Sequence, residues 1–68
     1  MQFEKFADRI SRLNQLIEKG ATGTPEEAAR KLGVSKRMLL YYIEYLKDKG
    51  ADINYSRSTR TYVFKKEL

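Results

Sequence analysis

The sequence predicts an α+β domain that is mainly helical: three helices followed by a C-terminal β-hairpin. Three observations carry this. Apolar residues recur at helical spacing over three segments, each closed by a glycine, Gly20, Gly33 and Gly50. The stretch "TGTPEE", Thr22 to Glu27, holds a complete helix-start signal. Beyond Gly50 the apolar period shortens to alternation in "DINYSRSTRTYVFKK".

In the first segment, Phe3, Phe6, Ala7, Ile10, Leu13, Leu16 and Ile17 fall on one side of a helix over about residues 2–19. Asp8 precedes Arg12 by one helical turn, an order that suits an exposed face. Lys19 favours the negative end of the helix dipole, and Gly20 is suited to a left-handed cap. The second helix is expected over about 25–32. Thr24 can accept from the early amides, Pro25 fits the first helical position, and Glu27 can reach back to the Thr24 amide. Ala28, Ala29 and Leu32 form its inner face, while Glu26–Arg30 and Glu27–Lys31 are spaced as outer ion pairs. Gly33 supplies a positive φ, Val34 a core plug and Ser35 a cap for the third helix, about 36–49.

Leu39, Tyr42, Ile43 and Leu46 make the buried stripe of that third helix, leaving Lys36, Arg37, Leu40, Tyr41 and Glu44 on the opposite side. The hairpin is expected over about 52–65. Pairing Tyr55 with Tyr62 sets Ile53 opposite Phe64 and leaves Arg57 to Arg60 as the loop. Such a ribbon needs helices to pack on. "ATG", Ala21 to Gly23, is a candidate for a very short third strand.

With 68 residues the sequence is expected to form one domain, residues 1–68, and it has neither Cys nor His. Disulfides, thiolate nucleophiles and zinc sites built on those residues are therefore excluded. The carboxylates are isolated or spaced to pair with bases, and no phosphate-binding glycine loop is present, so no enzyme activity and no cofactor or metal are expected. The apolar run Met38 to Ile43 is too short to span a bilayer, and "MQFEKFADRI" does not resemble a signal peptide. The expected location is cytoplasmic.

Net charge is +5, and it is concentrated late in the chain. Residues 35–68 contribute eight Lys/Arg against four Asp/Glu, or +4, while residues 1–34 contribute six against five, or +1. A basic second half points to a polyanionic partner.

Two helices joined by a glycine turn and followed by a hairpin form the order of a winged helix-turn-helix. The stretch "TPEEAARKLGVSKRMLLYYIEYLKDKGADINYSRSTRTYVF", residues 24–64, resembles the N-terminal domains of biotin-repressor-like and deoxyribose-operon-repressor-like bacterial transcription regulators. The resemblance lies in Ala29, in "LGVS" (Leu32 to Ser35), in "YIEYLKDKGA" (Tyr42 to Ala51) and in the I-x-Y…Y-x-F hairpin. It implies a transcription regulator whose third helix enters the major groove and whose wing touches the flanking backbone or minor groove.

The resemblance places Ser35, Lys36 and Arg37 in the first-turn contacts. Arg37 is suited to guanine O6 and N7, and Lys36 to phosphate. Tyr41 could meet phosphate, sugar or a thymine methyl, and Leu40 a thymine methyl. Arg57 and Arg60 would reach the backbone or a narrow minor groove. The expected partners are duplex DNA and a second copy of the chain or a larger assembly, with no membrane and no small-molecule ligand. Family members commonly carry Arg, Lys, Asn or Gln where this chain has Leu40 and Tyr41. "RMLLYYIEY" is apolar nearly all round, so Leu40, Tyr41 and Tyr45 form a candidate protein interface. Three readings follow: a DNA-binding protein, a protein–protein interaction module on the same frame, and a binder of unpaired strands through the hairpin aromatics.

Overall fold

A computed structural model describes the backbone of residues 2–65 and the side chains of residues 5–65. Phe3, expected on the first helical stripe, and Lys66 have side chains outside the described residues. The elements follow in the order α1 (Gln2–Lys19), α2 (Pro25–Leu32), α3 (Lys36–Asp48), β1 (Ile53–Ser56) and β2 (Thr61–Phe64). The mainly helical α+β class is as the periodicity predicts.

All three helices end in the same hydrogen-bond pair. Gly20 N–H donates to Ile17 and Ala21 N–H to Leu16; Gly33 to Arg30 and Val34 to Ala29; Gly50 to Lys47 and Ala51 to Leu46. This crossed pattern satisfies carbonyls that the helix leaves open, and it requires the left-handed backbone that all three glycines adopt. At the other end of α2 the capping box is complete. The Thr24 hydroxyl accepts from Glu27 N–H at 3.2 Å, and Thr24 N–H donates to Glu27 Oε1 at 2.8 Å. Gly23 is committed to this cap, since a Cβ there would meet Glu27 Oε1 at 2.5 Å.

The core joins all three helices to the hairpin: Leu13 and Ile17 from α1, Ala28, Ala29 and Leu32 from α2, Leu39, Tyr42 and Ile43 from α3, Ile53 and Tyr62 from the strands. Phe6 packs edge-on against Tyr42 and Tyr45, with ring centroids 5.6 and 5.1 Å apart, and so ties the start of α1 to α3. Ala7 departs from the expected stripe. It is exposed, so among the described residues the inward side of α1 is the buried Leu13 and Ile17 with the half-buried Phe6, Ile10 and Leu16.

The strands are antiparallel in the expected register, Ile53 opposite Phe64 and Tyr55 opposite Tyr62, with the two tyrosine rings in edge contact at 5.1 Å. Ala21 to Gly23 do not form a strand. Their link to β2 runs through two buried hydroxyls instead. Thr61 Oγ1 accepts from Thr22 N–H at 3.1 Å and Gly23 N–H at 3.3 Å, and Thr22 Oγ1 accepts from Tyr62 N–H at 2.8 Å. The two hydroxyl oxygens lie 2.8 Å apart. The Thr22 hydroxyl also donates to the Gly23 carbonyl at 3.0 Å, and the Thr61 hydroxyl lies in donating reach of the Tyr62 carbonyl at 3.4 Å. The short linker is thereby fastened to the hairpin without a ladder.

Candidate nucleic-acid interface

The opening turn of α3 is set by Ser35, whose extended backbone ends the glycine turn and whose hydroxyl accepts from Met38 N–H at 3.1 Å. The amides of Lys36 and Arg37 find no acceptor among the described residues, as expected for the first positions of a helix. No acid occupies this turn. The positive end of the helix dipole therefore carries two exposed cations and no acid of its own turn.

Those two cations differ in their surroundings. Lys36 Nζ lies 3.1 Å from Glu26 Oε2, an ion pair between exposed side chains. The Lys36 ammonium, hydrogen-bonded to the Glu26 carboxyl, holds it below the ordinary carboxylate range, with a smaller contribution from the Glu26 backbone amide. Glu26 thus pairs with Lys36 rather than with Arg30, as helical spacing had suggested. Nor does Glu27 pair with Lys31: its carboxylate is held by the Thr24 cap, and the Lys31 ammonium donates to the Ala21 carbonyl. Arg37 is exposed and has no ion-pair partner among the described residues.

Beside Arg37 the surface turns apolar. Met38, Leu40 and Tyr41 are 44%, 42% and 59% exposed. Ser35, Arg37, Met38 and Tyr41 line an open cleft of about 300 Å³ whose exposed wall is almost wholly apolar. Met38 is the residue that periodicity missed. It sits one position before the fully buried Leu39, and only the packing of α2 on α3 decides on which side of Leu39 the helix surface begins. Glu44 is exposed on the same helix. Tyr45, expected in a protein interface with Leu40 and Tyr41, is half-buried: its ring packs on Phe6 and lies 5.5 Å from the Lys49 ammonium.

At the hairpin tip Arg57, Ser58, Thr59 and Arg60 are all exposed, and neither arginine has an ion-pair partner among the described residues. Ser56 Oγ accepts from Thr59 N–H at 3.4 Å and lies 3.3 Å from Ser58 Oγ, which orders the turn. Arg60 carries a φ of 55°, a left-handed backbone unusual for a residue with a side chain.

A second basic surface was not legible from spacing. Arg12, Lys19 and Lys31 line a cleft of about 340 Å³ with Gln15 and Leu16. Arg12 was assigned to Asp8 by helical spacing; instead its guanidinium donates to the Lys31 carbonyl at 3.4 Å.

No protein-family model matches the chain, and comparison with curated proteins and with solved structures finds no match.

Proposed function

We propose that this chain is a cytoplasmic, non-catalytic winged helix-turn-helix protein that binds duplex DNA and regulates transcription. In this reading α3 enters the major groove and the hairpin tip meets the flanking backbone. The observation that carries it is the opening turn of α3: a capped helix start with free first amides, Lys36 shared with Glu26, and an Arg37 that has no ion-pair partner among the described residues. A helix end of this kind favours phosphate oxygens, and Arg37 has the fork that fits guanine. Arg57 and Arg60 add cations on a separate, ordered turn. Phosphate neutralisation supplies most of the binding free energy, and a second copy supplies the second half-site.

Binding of a random duplex, followed by fluorescence anisotropy across ionic strengths, tests this. Affinity falls steeply with salt, the log–log slope loses about 0.9 for each phosphate contact removed, as by Arg57→Glu, and Arg37→Glu weakens binding further. A domain that ignores duplex DNA at low salt contradicts the proposal.

The exposure of Met38, Leu40 and Tyr41 favours a second reading, in which the same face docks a protein. Self-association that Tyr41→Ala weakens, without any duplex binding, would establish it.

A further inference from the structure

We infer that the cleft at the start of α3 seats the C5-methyl group of a thymine next to a guanine, so that the protein prefers duplex DNA in which thymine and guanine are adjacent. This rests on the DNA-binding reading above and names what the site selects.

Three features support the assignment. First, α3 contains no Asn or Gln, and Arg37 is its one exposed side chain with a planar donor fork. Hydrogen-bonded base reading by its first turn is therefore directed to guanine O6 and N7. Second, the remaining wall of the cleft, Met38 and Tyr41, is apolar and lies one helical turn long beside Arg37. In the major groove the base edges offer an apolar surface only at the thymine methyl. Third, the charge around the cleft selects its occupant. Arg37 lines it and no acidic residue does, so an anionic duplex is a better match than a second copy of this basic chain.

Met38 suits this role, because an unbranched thioether adapts to a shallow apolar contact. Ser35 is held as the helix cap and leaves the wall to the apolar residues. The selectivity is modest, since a single methyl is buried and the cleft is open.

The test changes the DNA rather than the protein. A repeating TG·CA duplex, in which every internal thymine has guanine on both sides, is compared with the duplex carrying deoxyuridine in place of every thymine. Binding to the thymine duplex is expected to be tighter by about fourfold, the effect of burying one methyl group, with the same salt dependence for both. Met38→Ala, an exposed position whose truncation leaves the core intact, should shrink that ratio while both duplexes remain bound.

Equal affinity for the two duplexes overturns the inference and leaves the DNA-binding reading standing. A ratio unchanged in both Met38→Ala and Tyr41→Ser overturns it too, because the preference then arises from DNA shape rather than the cleft. Self-association abolished by Met38→Ala, with both duplexes bound alike, assigns the cleft to a second copy instead. If neither duplex binds at low salt, the underlying reading fails as well.

Discussion

Lys36 and Arg37 are adjacent and carry the same charge, yet their environments separate their roles. Lys36 is shared with Glu26 at 3.1 Å, whereas Arg37 lines an apolar cleft and has no ion-pair partner among the described residues. Removing the acid should free the lysine for phosphate. Glu26→Gln is therefore expected to raise duplex affinity and to steepen the salt dependence by about 0.9 in log–log slope, one additional phosphate contact. Unchanged affinity and slope would show that Lys36 does not face the duplex. The pair was not legible in sequence. Glu26 and Lys36 lie on different helices, and the spacing rule that assigns partners within a helix directed Glu26 to Arg30. Met38 was hidden for a similar reason: its neighbours Arg37 and Leu39 face opposite ways, and a side chain between them is placed by packing.

The glycine-closed helices, the Thr24–Glu27 capping box and the Tyr55–Tyr62 register were all legible, because each follows from residues close in sequence or from alternation. The fastening of the α1–α2 linker to β2 was not. Thr22 and Thr61 have the look of ordinary loop and strand residues, and only the fold brings their hydroxyls within 2.8 Å. Thr22 is 0% and Thr61 5% exposed, so each hydroxyl removed strands a buried amide. Thr22→Val and Thr61→Val are each expected to cost about 1–3 kcal/mol in urea unfolding. The double variant should cost less than the two together, because the first substitution already breaks the shared network. Strictly additive losses would mean that the hydroxyls act independently. The same link bears on function, since it holds the strand that follows Arg57–Arg60 against the rest of the domain.

Across the whole molecule, one core unites the helices and the hairpin, and its Tyr62 makes stability sensitive to alkali. Tyr62 is 8% exposed, and burial, then the nearby Tyr55 and Glu26, raise its phenol above the ordinary range. In the unfolded chain that phenol ionises near its usual value of about 10. Below that pH both states keep the proton, so Tyr62 adds no pH dependence. Above it the unfolded state loses the proton first and is favoured, so stability falls as pH rises. Urea midpoints across this window should fall, and fall less for Tyr62→Phe; equal falls would assign the effect to other groups. The proposed function also has a molecular-scale requirement: the start of α3 and the hairpin tip must meet one duplex together. Backbone amide shifts of isotope-labelled protein, titrated with duplex DNA at low salt, test this most directly. The account predicts that the largest changes fall on Ser35 to Met38 and on Arg57 to Arg60. Changes confined to the surface of Arg12, Lys19 and Lys31, or no changes at all, would contradict it.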